Sequence, residues 1–196
     1  MHLDPATTAA RLPATLLFTL MIGMTDVGAA HASTDAQVCR RYVTEAEEQH
    51  RIPRGLLHAI AITESAYNPL ALNIEGRSVE VPSVDQALLR VRRAQNKGIQ
   101  NVSIGCMQIL VKYHVHRVGT TRELIEPHIN VAYGARYLRE LYEQTGDWWR
   151  AVARYHTGDA VKQVSYLCRV YGNYAAVRNI PVDATTYRER CGRNLA

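Results

Sequence analysis

Glu64 stands where a fourth apolar residue belongs. In the stretch GLLHAIAITESAYNP, Gly55 to Pro69, helical periodicity puts Leu57, Ile60, Ala61 and Glu64 on one stripe. A glutamate at a helix end ordinarily faces water or pairs with a cation. A carboxylic acid on an apolar face keeps its proton more readily, because desolvation disfavours the charged form. Such an acid can protonate the leaving oxygen of a glycosidic bond. Further polar groups follow in order: Ser65 beside Glu64, Met107 and Gln108 in GCMQI (105–109), Tyr155 and His156 in AVARYHTG (151–158). An amide, a phenol and an imidazole can supply oriented hydrogen bonds around one carboxylate. Singly each is ordinary: Met fills core gaps, a helical Gln is usually solvated, and a Tyr often edges a core. Their order relative to Glu64 is what raises them.

Glu-Ser at 64–65, GCMQI at 105–109, EPHINVAYGARYLREL at 126–141 and AVARYHTG at 151–158 occur in sequence over about residues 37–175. In that order they resemble the motifs of the lytic transglycosylases with a soluble-type (SLT) catalytic domain, of the lysozyme-like superfamily. The resemblance implies that Glu64 is the single catalytic acid/base. It further implies that Ser65 orients the sugar, Met107 lines the cleft, Gln108 contacts substrate and the Tyr155 hydroxyl lies near the carboxylate. His156 replaces the family's usual Asn, which alters one sugar contact. The long spacing between Glu64 and Gly105 and the GCMQ variant are similar to specialised members that accompany secretion, conjugation or pilus machines. The implied substrate is peptidoglycan glycan strands, and one carboxylate acting twice requires no metal or organic cofactor. Two alternatives stand beside this reading. One is a hydrolytic muramidase, with Glu75, Glu80 or Asp85 as a second carboxylate. The other is a non-catalytic peptidoglycan-binding scaffold.

The elements that must position these residues are mostly helices. Residues 35–50 are amphipathic, with Val38, Tyr42, Ala46 and Cys39 inward. Pro53 suits a first helical turn, and that helix runs to about Ala66 before Asn68-Pro69 ends it. LALNIEGRSVEVPS reads as a small β-hairpin around Glu75-Gly76. A helix follows from Ser83 or Asp85 to Gly98, then a helical run from about Cys106. EPHINVAYGARYLRELYEQTG is a helix with Ala132, Ala135, Leu138 and Leu141 inward and Gly146 as terminator. Asp147 caps WWRAVARYH, and AVKQVSYLCRVYGNYAAV forms the last long helix. The expected class is mostly α (α+β, lysozyme-like): a single globular helical domain with a small β-hairpin insertion, spanning residues 33–178.

Residues 14–24, ATLLFTLMIGM, form an apolar run too short to span a bilayer as a helix, followed by small residues at Ala30 and Ala32. Residues 1–32 are therefore read as a cleaved signal peptide, which makes the mature protein periplasmic. Residues 179–196 form a surface tail. Cys39, Cys106, Cys168 and Cys191 suit two disulfides in an oxidising compartment. Their spacing allows three connectivities. Cys39–Cys106 with Cys168–Cys191 is the working expectation, because it would tie the first helix to the Gln108 segment and pin the tail. A net charge of +5 favours anionic surfaces, without the basic-aromatic pattern of nucleic-acid binding. The protein is expected to act as a monomer. His114 and His116 fall on different faces of a helix, which disfavours a metal pair, and Trp148 and Trp149 divide between sugar and core roles.

Overall fold

The computed structural model describes residues 27–182 together with residues 185, 187 and 191, with side chains from residue 35 onward. The expected signal peptide lies largely outside the described residues. The helices are α1 (Val27–Gln49), α2 (Leu56–Ser65), α3 (Val84–Asn96), α4 (Val111–His114), α5 (Thr121–Ile125), α6 (Pro127–Thr145), α7 (Trp148–His156) and α8 (Ala160–Arg178). The strands are β1 (Leu72–Ile74), β2 (Arg77–Val79), β3 (Val102–Ile104) and β4 (Ile109–Leu110). The mostly helical lysozyme-like class is what the structure has.

Local chemistry sets most boundaries. Ser83 accepts the Gln86 N–H and starts α3, Asp147 accepts the Arg150 N–H and starts α7, and Asp159 caps α8. Pro127 opens α6, and Gly146 closes it at φ 67°. The Glu75-Gly76 hairpin forms as read, with both residues at positive φ (53° and 82°), as a tight two-residue turn between twisted strands requires.

The sheet is larger than the hairpin. Its order is β2-β1-β3-β4, antiparallel throughout, with Leu72 opposite Ile104 and Ile104 opposite Ile109. The expected helical run from Cys106 is therefore corrected: residues 105–108 form a turn between β3 and β4, and the helix begins only at Val111. Long-range partners override local helical preference there, as described below. Two face assignments are also corrected. In α1 the buried stripe is Cys39, Val43, Ala46 and Glu47, so Cys39 and Ala46 face inward as read and Tyr42 packs partly buried against the core, while Val38 lies off the stripe, because α1 packs between α2 and α6. In α6, Ala132 is exposed, while Val131, Gly134, Ala135, Leu138 and Leu141 are buried against α1 and α7.

Two disulfides brace this arrangement: Cys39–Cys106 joins α1 to the turn before β4, and Cys168–Cys191 holds the tail on α8. Among the described residues no helix is long and apolar enough to cross a membrane.

Candidate active site

Helix α2 is the stalk of the site. Leu57, Ile60 and Ala61 are fully buried, so the stripe they define carries Glu64 to the edge of the core. The Glu64 side chain is only 11 % exposed. Tyr166 of α8 donates its hydroxyl to Glu64 Oε1 at 2.7 Å. His156 at the end of α7 puts Nδ1 3.9 Å from the same oxygen, and its ring stacks on Tyr166 at 4.5 Å. A bond from Asn173 to Thr63 at 2.9 Å gives α2 and α8 a second tie. Past Ser65 the chain takes two successive left-handed residues, Ala66 and Tyr67 (φ 51° and 65°). Side chains pay strain there; Tyr67 is anchored by a 2.8 Å bond between its hydroxyl and His58.

The 105–108 turn is organised by one buried amide. Asn130 of α6 accepts the Met107 N–H at 2.8 Å and donates to the Ile104 and Leu124 carbonyls at 3.0 and 2.9 Å. Gly105, at φ 79°, passes so close that a Cβ would collide with this amide. Gly134 gives the same clearance on α6: a Cβ there would lie 2.9 Å from both Met107 and the Tyr155 hydroxyl.

The placements refine several expectations. Met107 does not line the cleft; it is fully buried behind it, beneath Gly134. The Tyr155 hydroxyl donates to the Met107 carbonyl at 3.0 Å rather than to Glu64. Ser65 lines the groove but gives its proton to the Cys106 carbonyl at 2.7 Å, tying α2 to the turn. Gln108, at φ 46°, donates Nε2 to the Ala71 and Gly105 carbonyls at 3.0 and 3.1 Å. Both neighbours are acceptors, so the amide must present its NH₂ to them, leaving its carbonyl oxygen to receive a ligand's hydroxyl.

Glu64 and Gln108 sit at a waist. A cavity of about 800 Å³ and another of about 670 Å³ share Thr63, Glu64, Asn73 and Gln108 in their linings. The larger is walled by Tyr113, His114, Tyr137, Tyr155 and His156 among others, the smaller by the β1–β2 hairpin and the chain after α2. Together they make a groove running past the carboxylate on both sides, a size typical of ligand sites.

Burial alone does not single out Glu64. Glu47 is also buried, 5 % exposed, and burial raises its pKa despite three backbone bonds that oppose the rise. Its oxygens are consumed by the N–H groups of Gly55, Leu57 and His58 at the start of α2. Glu47 is a helix cap; Glu64 meets a phenol and an open groove. That phenol, Tyr166, is the residue the sequence reading missed. Burial first, then the Glu64 charge, raises the pKa of Tyr166 and of Tyr155 well above 10, so both remain donors across the physiological range. The one sequence signal for Tyr166 is its place on the same inward stripe of α8 as Val170. Tyr166→Phe is expected to lower kcat roughly tenfold with little change in melting temperature, since one hydrogen bond to a carboxylate is lost. Steady-state kinetics beside a thermal melt check it.

His114 and His116 do not act together: His114 bonds the Tyr133 hydroxyl at 2.7 Å, while His116 is exposed. Trp148 stacks on Tyr142 at 4.1 Å, and Trp149 packs edge-on to Tyr171 and Tyr174, so neither lines the groove.

The fold is a helical lysozyme-like domain with Glu64 set at the middle of an open groove. Residues 41–166 match the Transglycosylase SLT domain, and the chain belongs to that family. It is similar to Protein IpgF of Shigella sonnei, 25% identical over 139 residues, covering 68% of this chain and 78% of the relative. It is also similar to Invasion protein IagB of Salmonella typhimurium strain SL1344, 26% identical over 150 residues, covering 74% and 81% respectively. No solved structure matches the chain.

Proposed function

We propose that this protein is a periplasmic lytic transglycosylase that cleaves the β-1,4 bond between N-acetylmuramic acid and N-acetylglucosamine in peptidoglycan. The carrying observation is the position of Glu64 at the junction of two cavities, where a polymer can pass on both sides of it. Glu64 protonates the glycosidic oxygen as its bond to C1 breaks. The resulting carboxylate takes the C6 hydroxyl proton as that oxygen bonds to C1, closing a 1,6-anhydro ring. No water is consumed, and Glu64 ends protonated again. Tyr166 steadies the transient carboxylate with a charge-assisted bond. Gln108 receives a sugar hydroxyl through its carbonyl.

The hydrolytic alternative needs a second carboxylate about 6.5–9.5 Å away if it inverts. Asp85 is held by Arg122 at 2.6 Å, and Glu75 lines neither cavity; Glu80 lines the smaller one. Glu80 is therefore the one residue that favours a muramidase. Closure by C6 has the advantage of proximity over solvent. Muropeptides released from purified wall are expected to end in 1,6-anhydromuramic acid, about 18 Da lighter than hydrolysis products because no water is added. Predominantly reducing-end muramic acid in the mass spectrum would reject the transglycosylase and turn attention to Glu80.

Export is supported by the apolar run at 14–24 and by two disulfides. A role in opening the wall locally for an envelope-spanning machine is supported by the residue 72–103 insertion and by similarity to a protein named for invasion.

A further inference from the structure

The groove is electrically lopsided. Arg154 of α7 and Lys162 and Arg169 of α8 line the larger cavity, with His114 and His156, and Glu64 is the sole carboxylate in that lining. The smaller cavity has no cation in its lining, only Glu64 and Glu80. Among the described residues, Arg154, Lys162 and Arg169 take part in no ion pair, as is true of most cations of the chain; what distinguishes them is that they gather in one cavity. The acid nearest in sequence, Asp159, is occupied: it caps α8 through the Val161 and Lys162 N–H groups. Arg169 lies 5.9 Å over the Tyr166 ring, which places a cation behind the phenol that holds Glu64.

Unpaired cations gathered on one wall of a concave surface focus a positive potential into it. Exposed charges contribute little to stability, so the grouping of three cations on one wall of the groove is not something that folding requires. In stem-bearing glycan the sugar backbone itself offers no anion to meet them, because each lactyl carboxyl is tied up in the amide that begins the stem. The anions of peptidoglycan are the free carboxylates of the peptide stems, carried on the lactyl groups of muramic acid.

We propose that Arg154, Lys162 and Arg169 form a carboxylate-recognition wall for the peptide stem of the muramyl unit lodged in the larger cavity. The proposal rests on the peptidoglycan reading and deepens it. Arginine forks match a carboxylate bidentately, and lysine adds a point charge. The protein then prefers glycan whose stems carry free carboxylates to glycan whose stem carboxylates are neutralised, and the charge contrast fixes which way a strand lies across Glu64.

The test compares the mature full-length protein on two substrates: intact sacculi, and the same sacculi with their stem carboxylates converted to neutral amides by carbodiimide and ammonia. The wild type is expected to show a several-fold higher kcat/KM on the unmodified sacculi. Arg154→Gln with Lys162→Gln is expected to raise KM on that substrate roughly tenfold, about one charged contact's worth, and to bring the ratio between substrates towards one. Arg169→Gln is measured separately, because it also touches Tyr166. All three side chains are exposed, and a thermal melt confirms that the variants fold. Added salt should erode the wild-type preference in parallel, since exposed charges are screened. Equal wild-type activity on both substrates, or a ratio unchanged in the double variant, overturns this proposal while leaving the transglycosylase reading standing. Preference for the amidated sacculi would overturn the carboxylate assignment. Failure to cleave either substrate removes the peptidoglycan reading, and this inference with it.

Discussion

Glu64→Gln is expected to lower wall cleavage by about 10²–10⁴-fold, the usual contribution of general acid catalysis, in a protein that remains folded. The amide has nearly the volume of the acid, and its carbonyl can still accept the Tyr166 hydroxyl that now reaches Glu64 at 2.7 Å. It has no acidic proton to deliver to the glycosidic oxygen, and it cannot take the C6 proton afterwards. Both half-reactions lose the same group, so turnover should fall while wall binding persists. The check is a turbidity assay on purified wall together with a pelleting assay for binding. Substantial residual cleavage would show that another group is the acid. A wild-type protein that binds wall without cleaving it would instead support the scaffold alternative.

Asn130→Leu is expected to cost at least about 3 kcal/mol of stability. The substitution keeps the volume but removes the side-chain amide that bonds the Met107 N–H and the Ile104 and Leu124 carbonyls. Asn130 is fully buried, so water cannot replace the lost bonds, and each unsatisfied buried group costs about 1–3 kcal/mol. That is a large share of a typical domain's 5–15 kcal/mol. Because the Met107 and Gln108 turn depends on the same amide, activity should fall more steeply on warming than in the wild type. Denaturant melts and activity at two temperatures measure this. A loss below about 1 kcal/mol would mean that the turn is held by the Cys39–Cys106 disulfide instead.

The sequence by itself determined what is local. Helix periodicity placed Glu64 above Leu57, Ile60 and Ala61, and caps such as Ser83, Asp147 and Gly146 set their helix ends. The Glu75-Gly76 turn was legible because β-prone pieces flank a glycine, the residue that takes positive φ without strain. Motif order located Gln108, Tyr155 and His156 around the carboxylate. What the chain does not spell locally was decided by tertiary structure. Cys106 to Gln108 reads as the start of a helix, yet Asn130, 23 residues beyond Met107, holds those residues in a turn. Met107 is packed out of the groove, and Tyr155 is turned onto the Met107 carbonyl, both set by the clearance at Gly134. The phenol that reaches Glu64 comes instead from Tyr166, 102 residues away. A sequence pattern reports which face of an element is apolar. It does not report which distant polar group will satisfy a buried donor or acceptor, because that choice is made only when elements pack and water is excluded.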